Sequence, residues 1–462
     1  MPASSTLGRA VTLALAAISG TATAAQFDYS LYAGIEHSDN IGLSESNPVS
    51  QNILIPGLNF TYAQQGSVVQ ANVAGALEYH DYLGNAFDNQ TFVQLTSQAN
   101  WTVLPQRLDF TVQDFAGVQP LSTLSSNTPN NQQQTNVLAL GPILHFRLGD
   151  TLRGQAELRY INSYASKNKK FNSSRGEAAM RLFKNLGPSD VLSLSLESQR
   201  ANFDNAAGNP GNNLGGVSSG SNYTRNELFG NYVRTLVHFK MDIALGWSQI
   251  DFNGAPTVST PLTRVTLGWQ PTTRSSFAIT AAHQYSDAAE DMMLQPGQII
   301  AGAGAQLNNN TIGPTGPLGQ VAPAGINTGN VVIDPQVYLD RSLEGNYTFT
   351  TELLTLSVAP LYRRLSYLRD PTFDQTGRGG SAGLSYRLTP LLSLSAFADD
   401  ETITYRALHR RDKTSDYGVS LTDKRTPHWS LQASLVHRQR SSTVSGQGYS
   451  DNEIYFGVVF KR

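Results

Sequence analysis

The stretch Phe239-Lys240-Met241-Asp242-Ile243-Ala244-Leu245-Gly246-Trp247-Ser248 decides the fold. Phe, Met, Ile, Leu and Trp occupy one set of alternate positions, and Lys, Asp, Ala, Gly and Ser the other. A period of two sets one face of an extended strand against something apolar and the opposite face against water. The rhythm runs along the whole chain. Phe27, Tyr29, Leu31, Ala33 and Ile35 alternate with Asp28, Ser30, Gly34 and Glu36. Leu152, Ala156, Leu158 and Tyr160 alternate with Arg153, Gln155, Glu157 and Arg159. Near the end, Ile454, Phe456, Val458 and Phe460 alternate with Glu453, Tyr455 and Gly457.

Chain breakers add a second rhythm. Tight turns fall at Gln64-Gln65-Gly66, Leu104-Pro105-Gln106, Gly149-Asp150, Leu186-Gly187-Pro188, Pro271-Thr272-Thr273 and Thr389-Pro390. Longer Asn/Gly/Ser-rich connections alternate with them, the longest running from about 287 to 335. The segments between number about 20 (18–20) and most are roughly 11–16 residues long, against about 5–6 for soluble strands and about 9–11 for a tilted membrane-spanning strand. Long strands with short and long connections in alternation predict an all-β, transmembrane antiparallel barrel with short periplasmic turns and long outer loops.

Composition agrees. Of the 462 residues only 15% are Asp, Glu, Lys or Arg, below the roughly 25% of soluble proteins. The net charge of −2 offers no field for nucleic acid. The absence of cysteine excludes disulfides, thiolate nucleophiles and Cys-based metal sites. At the N-terminus, Arg9 precedes the apolar run Ala10–Ile18 and the small-residue box Ala22-Thr23-Ala24. That run fits a secretory signal over residues 1–25, leaving one barrel domain over 26–462 in the bacterial outer membrane.

Hydrocarbon offers no partner to a backbone amide, so the sheet must close on itself. A cation facing lipid at midplane costs roughly 2–4 kcal/mol, which expels charge to the lumen. Alternation assigns Arg107, Asp109, Arg153, Glu157, Arg159, Arg175, Glu177, Arg181, Glu197, Lys240, Asp242, Arg264 and Arg438 to that inner face. Arg341 and Arg364 fall on the lipid-facing parity near outer strand ends, where the cost is about 0–1 kcal/mol. Trp101, Trp269 and Trp429 fall near periplasmic strand ends and Trp247 near an outer end. Tyr62, Phe146, Tyr347 and Tyr386 join the inner level, and Tyr79, Tyr160, Tyr285 and Tyr362 the outer, as two aromatic girdles.

No catalytic, cofactor or metal constellation is present. Gly216-Val217-Ser218-Ser219-Gly220 has the letters of a nucleophile elbow without the strand before it and helix after it that the chemistry needs. His80, His145, His283 and His437 read as ordinary strand residues. The inner face mixes both charge signs with Ser, Thr, Asn and Gln, a lining that holds water and hydroxyl-rich solutes without preferring either ion sign. A loop as long as 287–335 is usually functional, and this one is expected to fold into or over the lumen as a constriction. Lys167, Lys169 and Lys170, with Arg406, His409, Arg410 and Arg411, form cationic outer-loop clusters suited to lipopolysaccharide phosphates or an acidic polymer.

The opening strand, Ala33-Gly34-Ile35-Glu36-His37-Ser38 leading to Asp39-Asn40-Ile41, is followed by Pro56-Gly57-Leu58, Gln64-Gln65-Gly66 and Ala76-Leu77-Glu78-Tyr79-His80-Asp81-Tyr82. This resembles the β-barrel porins associated with capsular and exopolysaccharide systems, including the PEP-CTERM/exosortase-associated outer-membrane proteins. The matching residues in the family signature are Asp39, Asn40 and Ile41. The resemblance covers the first part of the mature chain and implies action beside polysaccharide synthesis or export, with export components as partners. The last strand, read by the barrel-insertion machinery, departs from the usual terminal aromatic because Lys461 and Arg462 follow Phe460. The leading expectation is a passive channel for hydrophilic solutes or a glycan chain in a lipid and lipopolysaccharide setting. A non-conducting docking barrel is the alternative, and a hydrolase built on Ser and His the remote third.

Overall fold

In the computed structural model, which describes residues 25–204, 222–253, 255–293 and 335–462, the chain forms 20 antiparallel strands in one closed sheet. Each strand pairs with its sequence neighbours, and β1 (Ala25–Ser38) closes the ring on β20 (Tyr449–Lys461). This is the outer-membrane barrel fold. Strands run 13 to 17 residues. Inner turns take two to four residues, as between β12 (Val258–Thr272) and β13 (Ser275–Asp287). Gly149, with φ of 78°, supplies the left-handed residue that the turn between β6 (Gln132–Leu148) and β7 (Leu152–Ala165) requires. Among the described residues no helix is long and apolar enough to cross a membrane. The export signal over 1–25, all but Ala25, and the segment Gly216–Gly220 lie outside the described residues.

The exposed girdle residues Trp101, Trp247, Trp269 and Trp429 are each about half accessible on the lipid face. Trp269 and Phe277 stack with centroids 5.5 Å apart, and Phe277 continues to Tyr347 at 4.5 Å. Trp429 packs on Phe460 at 5.1 Å. Tyr285 departs from the expected girdle. It is buried among Tyr223, Ile250 and Val337, because the β12–β13 ladder ends at Thr263↔His283 whereas β13 stays paired with β14 (Val337–Thr350) as far as Asp287↔Val337. The outer end of the β13–β14 hairpin leaves the wall and turns inward.

A further departure is Asp114 on β5 (Leu108–Pro120), which register places on the face of Trp101. It is a mid-strand acid of lipid-facing parity. Its side chain is buried among neighbours, and the cost of that burial is offset in part by the 2.6 Å bond it accepts from Asn136 on the adjacent strand.

The apolar core sits inside the barrel's outer half rather than between layers. Tyr32, Ile53, Ile55, Tyr82 and Val459 form one inner-face cluster, closed by Ile41 and Phe87 from outer loops. A second gathers Val137, Ala139, Ile161 and Ala165 from β6 and β7 with Tyr338, Leu365 and Tyr367 from β14 and β15 (Leu354–Tyr367). The expected water-filled lining of charges and small polar groups therefore describes only the inner half of the lumen. Tyr455 shows how tightly the outer half is packed. Its ring lies across Gly34, where a Cβ would come within 2.3 Å of the ring's Cε2 and hydroxyl oxygen.

Candidate functional site

The candidate site is the packed outer half of the lumen and the chain segments that cross it. Beyond Asp287 the chain makes helical turns over 288–293, and Ala288, Ala289 and Met292 pack into the cluster of Val137, Ile161, Ala165 and Phe171 on the far wall. Asp287 starts those turns by accepting the backbone N–H groups of Ala289 and Glu290 at 3.0 and 3.1 Å, an N-cap arrangement. The loop carries two short apolar patches, Met292-Met293-Leu294 and Val331-Val332-Ile333, and of these Met292 and Met293 pack inside the barrel. Leu294 and Val331-Val332-Ile333 lie outside the described residues.

Three charge contacts fix this segment to the wall. Arg175, on β8 (Ser173–Asn185), donates to Asp287 at 2.5 Å, and Tyr223 donates to the same carboxylate at 2.5 Å. The Arg175 guanidinium also lies 5.6 Å from the Phe203 ring centroid. Arg225, on β10 (Tyr223–Thr235), donates to both oxygens of Glu290, at 2.6 Å for one of them, and to the carbonyl of Tyr285 at 3.2 Å. Arg363 on β15 pairs with Asp291 and also with Asp340 at 3.3 Å. Ser286 donates to Asp291 at 2.8 Å. Bidentate, charge-assisted bonds away from water are the strong kind. Removing one member of such a pair costs about 3–5 kcal/mol.

A second crossing comes from the opposite side. The carbonyl of Leu124, in the loop after β5, accepts from Arg410 at 2.5 Å and from Arg440 at 3.4 Å. Both arginines also bind Asp412, at 2.9 and 2.7 Å. Arg410 is therefore not part of a free cationic loop cluster. It is buried on the inner face of β18 (Arg410–Lys424), whereas Arg406, His409 and Arg411 stay exposed beside it. Lys167, Lys169 and Lys170 are exposed, with Lys167 donating to the Asn130 carbonyl at 3.3 Å.

The strand-borne charges named from sequence take these places. Arg153, Glu157, Arg159, Arg175, Glu177, Arg181 and Glu197 share the inner face of β7 to β9 (Asp190–Phe203), and Asp109 that of β5. Glu157 accepts from Arg159 and, at 2.5 Å, from Arg181, which reaches Glu197 at 2.6 Å. Lys240, Asp242 and Arg264 lie inward on β11 (Phe239–Phe252) and β12, with Arg264 on Glu227 at 3.2 Å. Arg438, on β19 (Trp429–Ser442), pairs with Glu453 at 3.2 Å. Arg107 is the correction. It stands exposed in the turn between β4 (Gln90–Leu104) and β5, its N–H bonded to the Leu104 carbonyl, because the chain reverses one residue later than alternation implied. Arg341 and Arg364 face outward opposite each other.

The signature residues act at the closing seam. Asn40 is buried, donates to the carbonyls of Ser44 and Ser450 at 2.8 and 2.9 Å, and accepts from the Ser44 N–H at 3.0 Å. Asp39 accepts from the backbone and side chain of Asn452 at 2.8 and 2.7 Å. Burial pushes the Asp39 carboxyl up, but those two donors prevail and hold it below the usual carboxylate range. Ile41 packs on the adjoining apolar cluster.

Alternation missed the apolar inner-face residues and the carboxylates of the crossing segment. Signals existed for the first group: Ile53-Leu54-Ile55 and Val137-Leu138-Ala139-Leu140 are apolar on both parities, the pattern of a strand covered on both sides. Among the described residues no group of three His, Asp or Glu side chains is placed to hold a metal ion.

No family model matches this sequence, and no curated protein does. Among solved structures, the chain is similar to a ferric enterobactin receptor mutant from Pseudomonas aeruginosa in complex with enterobactin. That match has 11% identity and a TM-score of 0.46, covering 96% of this chain and 82% of that one. It is also similar to the FrpB iron transporter from Neisseria meningitidis (F5-1 variant), with 8% identity and a TM-score of 0.42, covering 94% and 82%. The class defined by the chain's own sheet is the outer-membrane β-barrel.

Proposed function

We propose that this protein is an outer-membrane channel for hydrophilic solutes, built as a wet inner vestibule with a constriction towards the outside. The observation that carries this reading is the helical segment 288–293, drawn across the lumen and held by Arg175, Arg225 and Arg363. Below it the inner-half lining is accessible, with Arg153 and Lys240 exposed and Arg181 and Arg264 partly so. Paired charges of both signs hydrate the vestibule and offer hydrogen bonds to hydroxyl-rich solutes. The resemblance of the first strand supports a place beside polysaccharide synthesis or export, with a glycan as one candidate solute. Location in the outer membrane follows from the same reading, since both faces of the wall then meet the solvent they suit.

Planar-bilayer conductance tests it. The wild-type protein should conduct weakly, and D287N/E290Q/D291N, which loosens the crossing segment, should raise single-channel conductance at unchanged heat-modifiability. A second reading, a non-conducting docking barrel, is favoured by the density of the outer half. Flat traces from both proteins, each folded, would select it.

A further inference from the structure

On the outside of the wall, β14, β15 and β16 (Gln375–Arg387) each carry an arginine near the outer strand end. Arg341 stands opposite Arg364, and Arg378 stands opposite Tyr362, two residues from Arg364. All three share the parity of the exposed Leu343 and lie within a few residues of outer strand ends. His283 extends the row to β13, and Lys413 extends it towards β18. At their inner ends the same strands present Tyr347 and Tyr386 on this face instead of cations.

Neighbouring strands are about 4.8 Å apart, so these cations repel one another unless an anion stands between them. The wall supplies little. Asp400 is taken by Lys413 at 3.0 Å. Asp374, the acid beside Arg364, accepts the Tyr367 N–H at 2.7 Å and is shared with Arg406. The Arg341 Nε is buried without a hydrogen-bond partner. Arg378 lies 5.6 Å from the Tyr362 ring centroid, which orients the guanidinium without neutralising it. On the inner face, by contrast, arginines such as Arg175, Arg225 and Arg363 are matched to carboxylates.

We propose that Arg341, Arg364 and Arg378 form a docking site for the phosphate groups of lipopolysaccharide. The occupant must be anionic, carry oxygens for several guanidinium forks, and sit at the headgroup level of the outer leaflet only. The phosphorylated sugars of lipopolysaccharide meet all three conditions. The row then serves as an annular lipid site that seats the β13–β16 wall in its leaflet.

The test uses the folded full chain in detergent, titrated with lipopolysaccharide, with dephosphorylated lipopolysaccharide and with phosphatidylglycerol, and read by native mass spectrometry. Wild type should bind the phosphorylated form preferentially, and R341Q/R364Q/R378Q should lose that binding by about tenfold or more while staying heat-modifiable. Equal binding by wild type and variant would overturn the proposal, as would indifference to dephosphorylation. Phosphatidylglycerol bound as tightly, and lost equally, would overturn the assignment to lipopolysaccharide. Should the triple variant not fold, R341Q/R378Q carries the same comparison, since it leaves Arg364 beside Asp374.

Discussion

Arg175 and Asp39 show what single side chains hold in place. Arg175 is almost wholly buried, and a guanidinium there persists only because Asp287, Tyr223 and the Phe203 ring receive it. R175M should leave Asp287 without its counter-ion and raise amide exchange over 288–293 by about a hundredfold or more, for a local loss of about 3–5 kcal/mol. Exchange at the wild-type rate would show that apolar packing alone holds the segment. Asp39 makes a prediction about acid. Its carboxyl lies below the ordinary carboxylate range, so its contribution is complete above the unfolded value and declines as pH falls through the folded one. The protection factor of the Asn452 amide, taken relative to its intrinsic exchange rate at each pH, should therefore fall on acidification below the normal carboxylate range. D39N should flatten that dependence without changing exchange in the middle of β11.

At the scale of strands and loops, legibility followed the environment on each side of the sheet. Phe239–Ser248 could be read outright because its outward positions are large and apolar while its inward ones, Lys240, Asp242, Ala244, Gly246 and Ser248, are polar or small. Ile53-Leu54-Ile55 could not, since its inner face meets Tyr32, Tyr82 and Val459 rather than water. Tyr285 was misplaced for a related reason. Parity arguments assume that a strand stays in the wall, and β13 leaves it after His283. The inward charges of β7–β12 were legible from alternation, whereas their partners on 287–291 were not, because no periodicity links a loop to a distant wall. The Asp39-Asn40-Ile41 signature was visible as a resemblance, but its work at the seam needed the register with β20. For the loop after β5, R410M/R440M should release the Leu124 carbonyl, and limited proteolysis should then cut within 121–131 while wild type resists. Equal resistance would mean that the loop is held by its other contacts.

Across the whole molecule, the wall is bounded by aromatics and its interior is unevenly filled. Trp269, Phe277 and Tyr347 form a continuous aromatic run over three strands at the inner rim. W269A should lower unfolding stability in lipid by more than its lost area implies, by about 0.5–1.5 kcal/mol for the ring pair. A loss no greater than that of W247A, which has no such stacking partner among the described residues, would count against a role for the run. The uneven filling has a consequence for how the two sides of the membrane meet this protein. Under the proposed channel reading the barrel is widest towards the periplasm: Lys240 and Arg153 are exposed near the inner turns, whereas rings and salt-bridged arms narrow the outer half. Since the natural chain contains no cysteine, a single K240C or R153C carries an unambiguous tag. An impermeant maleimide should label it faster from the periplasmic side than from outside.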